Sequence, residues 1–203
     1  MQLRIYRKPF TARELKSELL RKLLHALIAL VPFLAAMDRS FTALLLMCGT
    51  LFYSCMEGLR FLGFSPPFIS AVTSATSRKQ EHEAFVLGPV TLGLGALLAL
   101  LLFSPKPAAI AVYVLAFGDS ISSLVGRFLG HLRPSFLTGK SIEGSLTCFV
   151  VSTALAFLVF GAWETAVVIG LATMLIDALS IGDFDNILIP LAAGLAAQIM
   201  SKY

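Results

Sequence analysis

Asp119 stands in a run that is otherwise apolar, within Gly118-Asp119-Ser120-Ile121-Ser122-Ser123, followed by Gly126-Arg127 and Gly130. An ionisable side chain in such a run is costly, so it marks a candidate functional site by default. Asp119, Ser122, Ser123 and Gly126 share one helical face. Small residues there let a second helix or a phosphate approach the backbone closely. A carboxylate in that place suits Mg²⁺, which is commonly held by one or two carboxylates together with substrate phosphates. After Gly130 comes Lys140-Ser141-Ile142-Glu143-Gly144-Ser145, leading into the next apolar run. A lysine, a glycine and hydroxyls at a helix N-terminus form a cradle for phosphate. The plainer account is a charged loop with Ser145 as the helix N-cap, and a packing hydrogen bond for Asp119. No G-x-x-x-x-G-K-[ST] pattern occurs, so the chain carries no P-loop.

Three further clusters accompany this one. Glu18, Arg21, Lys22 and His25 fall at i, i+3, i+4 and i+7, hence on one helical face. Two cations beside a carboxylate suit a phosphate; a snorkelling basic flank with a local ion pair is the simpler reading. Glu57-Gly58-Leu59-Arg60 closes a second apolar run, where a local Glu–Arg pair explains it. Asp177 lies inside a late apolar run, with Asp183, Asp185 and Asn186 in the junction after it and Pro190 beyond. A solvated loop accounts for Asp183 but not for Asp177, which is a candidate second metal ligand or base. Glu81-His82-Glu83 reads as an exposed loop, and Trp163 and Tyr203 as interfacial aromatics.

The elements that must position these groups are apolar helices. Hydrophobic residues make up 57% and charged residues 14% of the 203, and mean hydropathy is +0.85. That excludes a water-soluble enzyme, a disordered chain and a disulfide-stapled module. The three cysteines (Cys48, Cys55, Cys148) lie in apolar runs without metal spacing. Seven candidate spans fall at 23–37, 41–56, 85–103, 108–125, 146–162, 166–181 and 187–200. The expected fold is an all-α polytopic bundle of about seven transmembrane helices. It forms a single integral membrane domain over 1–203, with 1–22 as a basic amphipathic cytoplasmic segment.

Thirteen of the sixteen Lys and Arg residues fall on one side of this topology, which puts the N-terminus in the cytoplasm. The net charge of +4 is then a topology signal, and a nucleic-acid partner is unnecessary.

These residues together resemble the CTP-dependent lipid kinases, the family of dolichol kinase, phytol kinase and the CTP-type diacylglycerol kinase. The likeness runs over most of the chain. It starts at Arg21-Lys22-x-x-His25 and Glu57-x-x-Arg60, and continues through Gly118-Asp119, Ser122-Ser123 and Gly126-Arg127-x-x-Gly130. Lys140-Ser141-x-Glu143-Gly144-Ser145 is the strongest single match. Asp177-Ala178-Leu179-Ser180 and Asp185-Asn186-x-x-x-Pro190 complete it, with Asp177 where the family more often has Glu. The chain is shorter than eukaryotic dolichol kinases and resembles a compact prokaryotic version, which implies a prokaryotic plasma membrane. A more distant likeness is to phosphatidate cytidylyltransferase, whose terminal His-Gly-Gly and Asp-Arg-x-Asp segments are absent here.

The resemblance implies transfer of a phosphoryl group from CTP to the hydroxyl of a lipid alcohol, at a site on the cytoplasmic side. It specifically supports Arg21, Lys22, Asp119 and Gly126. Asp119 is expected to hold Mg²⁺ or another divalent cation, helped by Asp177 or Asp185. Lys140, Arg21 and Lys22 would bind nucleotide phosphates, beside Arg127, Ser141 and Ser145. Gly118, Gly126 and Gly144 would admit close backbone approach. Glu143 or Asp185 would orient or deprotonate the lipid hydroxyl. Glu18, His25, Glu57, Arg60, Ser122, Ser123 and Asn186 support them. Two rival readings are CDP-lipid synthesis and a non-enzymatic transporter or scaffold. A transporter should show an inverted repeat, and no internal symmetry is visible.

Overall fold

The computed structural model describes residues 12–64, 85–134, 140–179 and 182–202. Arg4, Arg7, Lys8, Arg78, Lys79, Glu81, His82, Glu83, Ser180 and Tyr203 lie outside them. The described residues form nine α-helices and no strands: α1 (Ala12–Ala26), α2 (Val31–Met37), α3 (Arg39–Phe61), α4 (Gly88–Leu102), α5 (Pro105–Tyr113), α6 (Asp119–Phe128), α7 (Ile142–Phe160), α8 (Trp163–Leu179) and α9 (Asp185–Met200).

Helix falls at every one of the seven expected spans. Four helical stretches are long and apolar enough to cross a membrane: Glu18–Met37, Arg39–Phe61, Pro105–Phe128 and Ile142–Phe160. Helices α4, α8 and α9, at 15, 17 and 16 residues, fall short of the roughly 20 that span a bilayer upright. Hydropathy alone does not separate these from the longer ones, because both kinds are mostly apolar. The first stretch also begins earlier than residue 23: α1 and α2 are joined through a single 3₁₀ turn, Leu27–Leu30. Lys22 therefore lies within the apolar stretch, as His25 was expected to, and not ahead of it.

Helix α5 is the centre of the bundle. On one side Ala108, Ala111 and Val112 pack with Val31 of α2 and Ala96, Ala99 and Leu100 of α4. On the other, Ile110, with Val114 just beyond the end of α5, packs with Ala156 of α7, Ala166 and Ile169 of α8, and Ile189, Ala193 and Ala197 of α9. The abundance of alanine brings helix backbones close, the usual way apolar helices associate without a hydrophobic gradient between them. Local chemistry sets the ends. Asp38 caps α3 by accepting from the Phe41 amide at 2.9 Å. Gly161, with φ of 71°, ends α7 in the left-handed conformation that glycine adopts freely. Trp163 begins α8 stacked on Phe157, ring centres 4.5 Å apart. Pro190 inside α9 has no N–H to give the carbonyl of Asn186, and that carbonyl turns against Gly95 of α4, where any Cβ would collide with it.

Candidate functional site

The face proposed for Glu18, Arg21, Lys22 and His25 is real, and it docks on α6. Lys22 Nζ donates to Asp119 Oδ2 at 2.8 Å, and His25 Nδ1 lies 3.6 Å from the same oxygen. Glu18 accepts from Arg21 within α1 and from Arg127 one helix away. Glu18, Lys22, His25 and Asp119 are all buried. A buried carboxylate is tolerable only when paired and hydrogen-bonded, and here each acid has a cation.

Asp119 is delivered by an irregularity. Between α5 and α6 the chain makes a π turn over Val114–Gly118, and the Asp119 amide reaches back to the carbonyl of Val114. Such wide turns cluster at functional positions in helices. Gly118 lies within this turn with Ser152 of α7 beside it, close enough that a Cβ at Gly118 would sit 3.0 Å from the serine oxygen.

A second centre forms where three segments converge on Lys140. Its Nζ donates to Asp177 Oδ1 at 2.6 Å and lies 3.1 Å from Asp185 Oδ2. Asp177 comes from the end of α8, Asp185 from the first residue of α9, and Lys140 from the segment entering α7. Lys140 also acts on Asp119, which couples the two centres. Burial alone would lower the Lys140 pKa, but the Asp177 and Asp185 carboxylates, with Asp119 behind them, hold it above the ordinary 10.5.

The Lys-Ser-x-Glu-Gly-Ser segment is built differently from the plain loop reading. Ser141, not Ser145, is the N-cap of α7: its Oγ accepts from the Gly144 amide at 3.1 Å. Ser145 is already inside the helix and buried. Glu143 turns outward and accepts from the amides of His131 and Leu132, at 2.8 and 3.1 Å. It shapes the segment after α6. Gly126 and Gly144 face each other across α6 and α7, where a Cβ on Gly144 would lie 3.0 Å from the Gly126 Cα. The close backbone approach expected of these glycines is thus between two helices. Ser122 and Ser123 bond back to the carbonyls of Asp119 and Ser120.

Other expected residues serve as anchors. Glu57, fully buried, forms a forked pair with Arg60 at 2.7 and 2.9 Å and accepts from the Val86 amide at 2.9 Å. It fastens the chain as it enters α4. Asn186 donates to Gly88 O and Thr91 Oγ1, tying α9 to α4. Arg133, in the segment after α6, donates to the Gly126 carbonyl at 2.8 Å; nothing in its spacing signals this.

Several buried polar atoms find no partner among the described residues: His25 Nε2, Ser120 Oγ, Ser145 Oγ and Asp177 Oδ2. Among the described residues no group of three or more His, Cys, Asp or Glu side chains is arranged to hold a metal ion. A Mg²⁺ that arrives with phosphates needs only one or two carboxylates. The unpartnered Asp177 Oδ2, with Asp119 nearby, is a donor set of the right chemistry.

The fold and this centre define an apolar helical bundle enclosing a coupled cluster of acids and lysines. The chain is 34% identical over 95 residues to a CTP-dependent diacylglycerol kinase 1 of Eremothecium gossypii, covering 47% of this chain and 30% of that protein. It is 27% identical over 210 residues to a probable chloroplastic phytol kinase of Triticum aestivum, covering 93% and 69%. A phytol kinase of Synechocystis sp. is 29% identical over 149 residues, covering 69% and 63%. The likeness to the CTP-dependent lipid kinases is shown, at modest identity. The match spans under a third of the fungal relative's length. No family model matches the chain, and no solved structure does.

Proposed function

We propose that the protein is a membrane-embedded lipid kinase that moves the γ-phosphoryl group of CTP to the hydroxyl of a lipid alcohol. The observation that carries this is the convergence of Asp119, Asp177 and Asp185 on Lys22 and Lys140 in an apolar bundle, an arrangement suited to polyphosphate charge. The names of the similar proteins support a kinase, CTP as donor, and diacylglycerol or phytol as acceptor; a polyprenol or dolichol has the same primary hydroxyl. The Lys/Arg asymmetry supports a cytoplasmic N-terminus and a site facing the cytoplasm.

Phosphoryl transfer asks a protein for positioning and charge stabilisation more than for covalent chemistry. Lys22 and Lys140 bind the nucleotide phosphates, with Arg21 and Arg127 at the entrance, where Glu18 holds both guanidinium groups in place. Asp119 and Asp177 are the side chains that would hold Mg²⁺, which when bound would neutralise charge on the phosphates. Asp185 accepts the proton of the lipid hydroxyl as that oxygen bonds to the γ-phosphorus. The bond from the γ-phosphorus to the bridging oxygen breaks, and CDP leaves. Glu143 is assigned to loop shaping, since backbone amides already occupy its carboxylate, which leaves Asp185 as the base. Gly126 and Gly144 set the distance between α6 and α7.

The test is purified protein with γ-radiolabelled CTP, Mg²⁺ and separate acceptors: diacylglycerol, phytol, a polyprenol and phosphatidic acid. Label in an organic-phase lipid phosphate is the expected result. Labelled pyrophosphate formed only with phosphatidic acid would make the protein a cytidylyltransferase. No turnover on any acceptor would remove the enzyme reading.

A further inference from the structure

The three groups that meet at Lys140 are engaged with one another. Its Nζ donates to Asp177 Oδ1 at 2.6 Å and lies 3.1 Å from Asp185 Oδ2. In the proposed reaction the lysine binds phosphate, Asp177 would hold Mg²⁺, and Asp185 takes the proton of the hydroxyl. Each task draws on a group that is already committed here.

The charge balance of this group is incomplete. One lysine serves two carboxylates whose side chains are 1% and 9% exposed. Asp177 Oδ2 is buried with no partner among the described residues. Asp119, the third carboxylate acting on Lys140, has Lys22 for its own at 2.8 Å. Buried carboxylates with too little countercharge are costly, so the pair calls for more positive charge than one lysine carries. A divalent cation matches two carboxylates, and Lys140 is well placed to give way to one. Its charge rides on a flexible four-carbon stem. It precedes Ser141, the N-cap of α7, so its movement breaks no helical turn. At 21% exposed it is also the most accessible of the three side chains.

We infer that Lys140 is a tethered place-holder for a divalent cation: it occupies the position between Asp177 and Asp185 and keeps the cation out until a polyphosphate draws its ammonium group away. Lys140 thereby makes metal binding depend on the nucleotide, and it withholds Asp185 from the hydroxyl until the nucleotide is present. This rests on the lipid-kinase reading for the source of the polyphosphate. That Lys140 excludes the cation is a separate claim, which holds or fails with no nucleotide added.

The experiment uses the full chain in phosphatidylcholine nanodiscs, titrated with Mn²⁺ alone and followed by the loss of the free-ion signal in electron paramagnetic resonance. Removing the lysine should open a metal site, a gain that a merely structural lysine would not produce. Lys140→Met is expected to bind Mn²⁺ about tenfold or more tightly than wild type, in the range of ordinary site-to-site coupling. Lys140→Met/Asp177→Asn should fall back to the wild-type affinity. Lys140→Gln, whose amide can still donate to Asp177, replaces Lys140→Met if the latter does not fold. Wild type that binds Mn²⁺ as tightly as the neutral variants would overturn the place-holder, and so would a gained site that survives Asp177→Asn. Either result, in wild-type protein that phosphorylates a lipid alcohol from CTP, would leave the kinase reading standing. A gained Mn²⁺ site, in a protein whose wild type transfers no phosphate from CTP, would keep the place-holder and sink the kinase reading.

Discussion

Lys140 and Asp177, 37 residues apart in sequence, meet at 2.6 Å, and the contact fixes the charge state of the lysine. With the folded pKa raised above the ordinary 10.5, the stabilisation is fully present below the unfolded value. It is lost only as pH climbs through the folded one. The gap in melting temperature between wild type and Lys140→Met should therefore stay constant from about pH 7 to about pH 10. A gap that closes within that window would show that the lysine discharges early.

Lys22→Met strands the Asp119 carboxylate in the bundle, and Asp119→Asn strands the lysine. Breaking a buried pair from one side costs about 3–5 kcal/mol. Each single variant should unfold at lower denaturant, and the Lys22→Met/Asp119→Asn double variant should recover much of that loss. None of the three should turn over. A double variant as unstable as the sum of the singles would mean that the two residues do not act as a pair, and full activity in Asp119→Asn would remove the metal assignment.

Glu143→Gln should be mild. Its acceptor role toward the His131 and Leu132 amides weakens but survives in the amide, so kcat/KM should fall by about tenfold or less, in line with a loss near 1 kcal/mol. A collapse like that of Asp119→Asn would return the general-base role to Glu143.

Gly144→Ala tests the crossing of α6 and α7. The added methyl would lie 3.0 Å from both the Gly126 Cα and the Ser122 carbonyl oxygen, a crowding against the α6 backbone that should cost about 1–3 kcal/mol. Gly58→Ala is the control, because a Cβ there meets nothing within 4 Å. It should be neutral or stabilising by up to about 1 kcal/mol. Equal effects at the two sites would contradict the packing.

What the sequence revealed followed helical periodicity. The shared face of Glu18, Lys22 and His25 was legible because i, i+4 and i+7 repeat along one side. That this face meets Asp119 was not, because no local pattern encodes a partner on another helix. The depth of Asp119 and Asp177 was legible from their apolar neighbours; the π turn that presents Asp119 was not, since one additional residue per turn leaves no mark in a uniformly apolar run. Ser141 and Ser145 were equivalent as capping residues by type, and only the backbone at Ser141, extended with φ of −106° and ψ of 152°, decides between them. The seven apolar runs located the helices, but whether each is long enough to cross a membrane upright turned on three lengths near the threshold.

The 97 residues between Lys22 and Asp119 also impose an order on biosynthesis. At about 5–20 residues per second, the lysine emerges from the ribosome roughly 5–20 s before the aspartate that neutralises it. Glu18 waits longer for Arg127, 109 residues on. During that interval α1 has the Glu18–Arg21 contact of its own. Its final seat depends on a helix not yet made, so the centre is completed late in translation, by the first helix closing onto the sixth.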